Sequence, residues 1–257
     1  MGRLTEVAPG VLVATSEFAT TTSTVVVGPS GGCLLVDPGV TVTDLAALAG
    51  ELAGLGLWPA VAWSTHPHWD HILWSADLGD APRYAAPAAV ALLETMRDDM
   101  ARQADHSAPG HDMELFGRLQ VLDGPVIPWQ GPEARLFVHN GHAPGHGAVF
   151  LPDSGTLLSG DMCSDIEIPL LDTAADDPLG DYRTGVGRLA SVPGVRLVVP
   201  GHGHAGDAAE LRRRLDLDTA YLDAVSAGRP VQDPRLTADS PAWMRSMHDD
   251  QVRYFKA

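Results

Sequence analysis

One short segment of the chain concentrates side chains that bind metal ions. Residues 65–71 read Thr-His-Pro-His-Trp-Asp-His, so three imidazoles and one carboxylate fall within six positions. His66 and His68 are two positions apart, and at the extended end of a strand both side chains point the same way. Asp70 and His71 come from the turn just beyond and can approach from another side. The pattern predicts two adjacent metal ions, with a ligand set that suits zinc well and iron tolerably.

Further candidate ligands lie in three glycine-containing turns later in the chain. Each turn follows an apolar run, so each lies where a strand is predicted to end. Glycine lets the backbone approach a site closely and adopt angles that other residues avoid. Any one turn alone is a weak signal, but the three together with residues 65–71 form a strong pattern. The turns are His142-Ala143-Pro144-Gly145-His146-Gly147, Ser159-Gly160-Asp161 and Pro200-Gly201-His202-Gly203-His204.

Strands and helices alternate along the chain and would bring these turns together. Short aliphatic or β-branched runs predict the strands, and apolar residues at three- and four-residue spacing predict the helices. This alternation indicates an α/β architecture. The predicted strands are 11–13, 24–27, 33–36, 61–63, 83–85, 136–138, 149–151, 156–158 and 195–199, and the predicted helices are 43–55, 88–100, 182–190 and 208–227.

Two stretches fit the alternation poorly. Residues 94–118 are mixed and charged, and residues 228–241 hold three prolines before a short helix around Trp243 and Met247. Each stretch is compatible with a lid over the site, a contact between subunits or a plain surface excursion. With 257 residues and no internal repeat, we expect a single domain in which residues 205–257 form a C-terminal helical extension.

Charge and composition narrow the classes of partner. The formal net charge of −16 disfavours nucleic acid and anionic membrane surfaces, which need clustered Lys and Arg. It leaves a small-molecule substrate open, because a bound metal can reverse the local field. The first residues carry no secretory signal, no apolar run reaches membrane-spanning length, and two cysteines are too few for a disulfide framework. We expect a cytoplasmic protein and leave a homodimer open.

The order of these motifs resembles that of the metallo-β-lactamase-fold superfamily from the first strands to about residue 204. The resemblance implies a four-layer αββα sandwich with two metals in a groove at one edge of the sheets. It also implies a ligand set. His66, His68 and His146 would hold the first metal, Asp70, His71 and His202 would hold the second, and Asp161 would bridge both.

Neighbouring residues receive supporting roles from the same resemblance. Asp37, at the end of a predicted strand, is expected to support a ligand by hydrogen bonding. His142 is expected to be a turn residue behind the ligands, because the family pattern indicates His146. Many relatives carry a glycine shortly after the Asp-His pair, where this chain is apolar. Trp69 and Trp74 are therefore expected to wall the site.

The implied activity is hydrolysis of an ester, thioester or lactone at two zinc ions, with iron or manganese as alternatives. Two such cations lower the pKa of a shared water, and the hydroxide attacks an acyl carbon that the metals polarise. Asp70 is the best candidate for both ligand and proton carrier to the leaving group. Asp161 and the missing export signal favour glyoxalase II-like thioesterases and lactonases over exported β-lactamases.

Several other functions use the same kind of site. Imidazole and carboxylate also accept iron, so an iron-dependent oxidoreductase, either persulfide dioxygenase-like or a di-iron oxygenase, stays open. A β-lactam hydrolase remains an alternative on the same fold. A binding protein without turnover is disfavoured by the complete ligand set, and a nuclease is disfavoured by the negative charge.

Overall fold

Apolar side chains of the strands divide between two faces, and this division creates the layers of the fold. In β4 (Gly32–Val36), Leu35 packs into one apolar cluster, whereas Leu34 and Val36 pack into another. The strand repeat explains this, because successive side chains point to opposite faces. Each central strand therefore contacts helices on one side and a second sheet on the other.

The computed structural model describes residues 1–256, and its first sheet contains seven strands in chain order. These are β1 (Thr5–Ala8), β2 (Val11–Thr15), β3 (Thr22–Val27), β4, β5 (Trp58–Trp63), β6 (Arg83–Ala85) and β7 (Gln120–Val121). Neighbours are antiparallel from β1 to β4 and parallel from β4 to β7. The parallel half carries the turn after β5, where the first predicted ligands lie.

The second sheet contains five strands. These are β8 (Arg135–His139), β9 (His146–Leu151), β10 (Thr156–Gly160), β11 (Leu197–Pro200) and β12 (Gly206–Asp207). They lie in the order β12-β11-β10-β9-β8, and only the β10–β11 pair is parallel among these neighbours. Because β10 and β11 run in the same direction, the residues that follow them emerge at the same edge of the sheet.

Helices cover the outer face of each sheet. α1 (Val42–Gly54) and α2 (Pro87–Ser107) pack on the first sheet, and α3 (Pro178–Ala190), α4 (Ala208–Ser226) and α5 (Ala242–Tyr254) pack on the second. A third cluster fills the space between the sheets, where Val36 and Trp63 meet Val149 and Leu158. The predicted αββα sandwich is confirmed. None of the helices within residues 1–256 is both long and apolar enough to cross a membrane.

The charged stretch at 94–118 differs from its prediction, because α2 continues through its first half to Ser107. Leu93, Met100 and Ala104 lie on one face and are buried, while the intervening polar residues face outward. Arg97 then donates to the carbonyls of Met113 and Phe116 and holds the segment that follows. A single buried stripe on an otherwise charged helix explains why the sequence pattern was weak.

Candidate metal centre

Separate strand ends bring the candidate ligands to one edge of the two sheets. The turn at residues 66–71 follows β5, Asp161 follows β10, and His202 lies two residues past β11. Backbone hydrogen bonds join the sheets here, since Gly147 N donates to Thr65 O over 2.7 Å. The site is therefore assembled from segments that are distant in sequence.

A first group of donors comprises His66, His68 and His142, which we call the first half-site. His68 Nδ1 lies 3.0 Å from His66 Nε2 and 3.1 Å from His142 Nε2. The carboxylate of Asp161 borders this group, with Oδ2 at 3.4 Å from His66 Nε2 and 3.5 Å from His142 Nε2. These four donor atoms lie within 4.8 Å of one another, which is close enough to share one ion.

A second group comprises Asp70, His71 and His202, which we call the second half-site. His202 Nε2 lies 3.3 Å from both His71 Nε2 and Asp70 Oδ2. Asp161 borders this group as well, with Oδ1 at 3.3 Å from His71 Nε2 and Oδ2 at 3.3 Å from His202 Nε2. One carboxylate thus lies between the two half-sites, in the place that the sequence predicts for a bridging ligand.

The structure differs from the sequence prediction at the turn between β8 and β9. The atom that converges with His66 and His68 belongs to His142, and His146 lies outside the group. His146 Nε2 accepts a hydrogen bond from the backbone N–H of Asp161 over 3.1 Å, so its lone pair is already used. His142 has a left-handed backbone (φ 72°), which is uncommon outside glycine and is often found at functional sites. In this structure His142, and not His146, therefore lies in the first half-site, and the role of His146 as a ligand stays a prediction.

The nitrogens that face away from the centre fix the orientation of two imidazoles. His142 Nδ1 lies 3.0 Å from the carbonyl oxygen of Leu170, and His202 Nδ1 lies 3.0 Å from that of Ala19. A carbonyl only accepts hydrogen bonds, so each Nδ1 carries a proton and donates it. Each Nε2 therefore presents a lone pair to the centre when the ring is neutral.

Asp37 fixes two further imidazoles, in agreement with its predicted supporting role. Asp37 Oδ2 lies 3.0 Å from His71 Nδ1 and accepts the Thr65 hydroxyl over 2.6 Å, while Oδ1 accepts the Thr65 backbone N–H over 2.8 Å. Because the Thr65 hydroxyl donates to Asp37, it accepts from His66 Nδ1 at 3.0 Å. Such hydrogen bonds behind metal ligands set the tautomer and orientation of each ring.

Cations fit this centre because carboxylate oxygens and imidazole nitrogens from both half-sites converge on it. Asp161 Oδ1 is buried and has no hydrogen-bond partner among residues 1–256, since His71 approaches it in a geometry that is not a hydrogen bond. Burying carboxylates is costly unless positive charge lies among them; the protonated rings of His71 and His202 supply it here, and a bound cation would take the place of their protons. The donor set is all nitrogen and oxygen, which zinc, iron and manganese accept.

Two glycines allow this close approach. A side chain at Gly201 would overlap Asp161 Oδ1, and a side chain at Gly160 would overlap His146 Nε2. Gly160 also has a φ of +56°, a conformation that other residues rarely adopt. The glycines that flank the predicted ligands are therefore needed for steric reasons.

Asp70 remains charged in this environment. Burial opposes its ionisation, but His71 and His202 outweigh burial and lower the pKa of the Asp70 carboxyl to about 2. Its side chain is 13% exposed, whereas that of His71 is fully buried. Asp70 is thus an ionised carboxylate that is partly open to solvent.

The sequence interpretation missed Glu167 and misplaced Trp74. Glu167 Oε1 lies 3.9 Å from His202 Nδ1, and burial raises the pKa of this carboxyl to about 7 although His202 opposes the shift. No motif marked it, because it lies six residues after Asp161 in a segment without regular structure.

Of the two tryptophans expected to wall the site, Trp74 is instead a core residue whose indole N–H donates to Gly79 O. Trp69 is half-buried and lies in the chain between the candidate ligands His68 and Asp70.

Comparisons with known proteins agree with this architecture. A curated hydroxyacylglutathione hydrolase from Synechococcus sp. (strain JA-3-3Ab) is 32% identical over 128 residues, which is 49% of this chain and 42% of that protein. The match therefore spans less than half the length of that relative.

Solved structures extend the likeness over nearly the whole chain. A metallo-beta-lactamase family protein from Thermus thermophilus has a TM-score of 0.66 at 24% identity and covers 97% of this chain and 91% of its own. A protein solved in a di-iron-bound form has a TM-score of 0.61 at 27% identity, and the match covers 79% of this chain and 97% of that protein. The model of the metallo-beta-lactamase superfamily matches residues 18–222, a range that includes every donor of both half-sites. The chain therefore belongs to the metallo-beta-lactamase superfamily.

Proposed function

We propose that this chain is a dinuclear metal hydrolase that cleaves an ester, thioester or lactone, with zinc as its resident metal. The observation that carries the proposal is the position of Asp161 between two groups of three donors each. Three imidazoles, as in the first half-site, are the protein ligands of known catalytic zinc sites. The second half-site adds the carboxylate of Asp70, which can carry a proton during hydrolysis.

When bound, two cations supply water activation near neutral pH and polarisation of the substrate carbonyl. The chain supplies the proton carrier. Asp70 is ionised at neutral pH because the pKa of its carboxyl is about 2, and its partial exposure lets it meet the attacking water. In this proposal Asp70 accepts a proton and passes it to the leaving group. The buried Asp37 and Thr65 hold the neighbouring rings in place.

The acyl substrate class rests on family membership and on one curated relative. The Synechococcus protein is named a hydroxyacylglutathione hydrolase, which is a thioesterase activity, and its matched region supports a thioester or ester for this chain. Because that region covers 42% of the relative, the glutathione part of its substrate is not carried over. We propose a small acyl compound as substrate.

Elemental analysis coupled to a substrate screen tests the proposal. Protein purified without added metal should contain close to two zinc ions per chain and should hydrolyse at least one lactone or thioester in a panel that includes β-lactams. An Asp70→Asn variant should retain its fold and lose rate. The proposal is overturned by a chain that binds no metal, or by a fully loaded chain that turns over none of these compounds.

A second candidate is an iron-dependent oxidoreductase at the same centre. The relative solved in a di-iron-bound form supports it, because imidazole and carboxylate donors accept iron as well as zinc. Protein from cells grown with both metals available should then contain iron and consume oxygen with a sulfur or aromatic substrate. If the protein contains zinc, hydrolyses an acyl compound and takes up no oxygen, it is a hydrolase and the oxidoreductase is excluded.

A further inference from the structure

Two buried arginines outside the metal centre hold the loop that follows Asp161. Arg214 comes from α4, and Arg235 comes from the proline-containing segment between α4 and α5. The side chains of both are only 2% exposed. Each donates to a backbone carbonyl of residues 163–164, two and three residues past the shared carboxylate. Guanidinium groups are rarely buried so completely, so these contacts need a reason.

Arg235 lies at the centre of a buried ionic cluster. Its Nη1 donates to Asp218 Oδ1 over 2.7 Å, and its Nη2 donates to Asp233 Oδ2 over 2.7 Å. The same Nη1 also donates to the backbone carbonyl of Ser164 over 3.1 Å. The planar fork of a guanidinium can serve three acceptors at once, which the point charge of a lysine does poorly. The two carboxylates hold the guanidinium, and the guanidinium holds Ser164.

Ser164 transmits this position to the second half-site. Its hydroxyl donates to the backbone carbonyl of His202 over 2.7 Å and accepts the backbone N–H groups of Ile166 and Glu167 over 3.1 Å each. The preceding residue, Cys163, has a φ of +58°, a conformation that costs energy outside glycine. The loop is therefore bent tightly and tied directly to the residue that carries a ligand.

Arg214 supports the same loop from the other side. It donates to the carbonyl of Cys163 over 3.2 Å and to that of His204 over 3.0 Å, and so links the Asp161 loop to the His202 loop. Asp165 adds a third link, because its carboxylate accepts the backbone N–H of His204 over 2.8 Å. The two ligand-bearing loops thus form one hydrogen-bonded unit with the C-terminal segment.

We propose that Arg235 is a positioning residue for the second half-site, acting through Ser164 on the main chain of His202. This inference rests on the proposed metal centre and adds a role for the C-terminal segment at 228–241. Buried ion pairs contribute little net stability, because desolvation offsets their attraction. The benefit of this cluster is that it fixes one geometry of the loop, and metal affinity depends on such geometry.

Arg235→Lys tests the proposal, because it keeps the positive charge beside Asp218 and Asp233 and removes the fork that reaches Ser164. Arg229→Lys is the matched control, since Arg229 lies on the same segment, is exposed, and its side chain donates to Asp223 O. Competition with a chromophoric chelator should show about a tenfold loss of zinc affinity at one of the two sites in Arg235→Lys, with a smaller change at the other. A general loss of stability would weaken both sites together.

Ser164→Ala and the double variant identify the route. If Arg235 acts through Ser164, the Arg235→Lys and Ser164→Ala losses of affinity should not add. Hydrogen exchange of residues 162–167 in the metal-free protein should quicken in Arg235→Lys and not in Arg229→Lys. Unchanged exchange, additive losses or equal weakening of both sites would overturn the proposal. The exchange measurement needs no metal, so it remains decisive even if the wild-type chain binds none.

Discussion

The two half-sites differ in the charge of their imidazoles before any cation binds. In the first half-site, burial lowers the pKa of His142 to about 3, so this ring stays neutral at neutral pH. In the second half-site, burial opposes protonation, but Asp161 and the neighbouring carboxylates together outweigh it and raise the pKa of His71 and of His202 well above its ordinary value. The same residue type therefore offers a free lone pair in one half and holds a proton in the other.

This difference implies that cation binding releases protons from the imidazoles of one half-site and not from those of the other. A cation enters the first half-site without displacing protons from its imidazoles. A cation that enters the second half-site must replace the protons on His71 and His202, which releases them to solvent. Zinc affinity at the second half-site should therefore fall more steeply as the pH is lowered.

The largest expected effect comes from removing the carboxylate that the half-sites share. Asp161→Ala should reduce the affinity for both ions by at least about 100-fold, the upper range for a residue that only supports ligands. Activity should fall with metal content, measured by elemental analysis after dialysis. If the variant retains two ions, Asp161 is not a bridging ligand and the half-sites are independent.

A matched pair of histidine variants tests the first half-site alone. His142→Ala should lose one ion and keep the other, because it removes one of three imidazoles from the first half-site. His146→Ala should keep both ions with weaker binding, because it removes only the acceptor of the Asp161 backbone N–H. Zinc titration of the metal-free variants measures this. The reverse outcome would restore His146 as the ligand that the sequence resemblance implies.

The buried neutral imidazoles predict a pH dependence for the metal-free protein. The pKa of His142 is about 3 and that of His139 about 4 in the fold, against an ordinary value of 6.5. Between about pH 6.5 and 4 these imidazoles bind protons in the unfolded chain and not in the fold, so their contribution to stability is lost as the pH falls. Burial raises the pKa of Glu167 to about 7 and that of Asp218 to about 6, so these two carboxyls bind protons first in the fold and oppose part of that loss.

Each histidine contributes up to about 1.4 kcal/mol per pH unit in that window. His71 and His202 add nothing there, because they are protonated in both states. Urea unfolding of metal-free protein across this range measures the slope. A flat or opposite slope would contradict a net contribution from buried neutral imidazoles.

The smallest expected effect concerns the hydroxyl behind His66. Thr65→Val removes the hydrogen bonds to Asp37 and to His66 Nδ1 and preserves the side-chain shape. Zinc affinity at the first half-site should fall about tenfold, with a smaller change at the second. Thr95→Val, at an exposed position on α2, is the control. An affinity equal to that of wild type would mean that the His66 ring needs no support from Thr65.

Much of the fold could be predicted because it depends on local patterns. The apolar periods placed the main strands and helices, and Asp37 followed from its position at a strand end. Most of the candidate donors follow from their residue types and spacing, and the structure brings His66, His68, Asp70, His71, Asp161 and His202 together. The extension of α2 was missed because its buried stripe is narrow and its other faces are charged.

Only the tertiary structure shows that His142, and not His146, lies within the first half-site. Both lie in one turn and have the same chemistry, so local sequence cannot show which lone pair is free. The answer depends on the backbone N–H of Asp161, which lies fifteen positions from His146 and reaches it only after the strands pair. The contact from Arg235 to Ser164 spans 71 positions and has no sequence signature. The sequence by itself determined the types and order of the candidate ligands, and folding determined which atoms meet, because hydrogen-bond partners are set by distance in space.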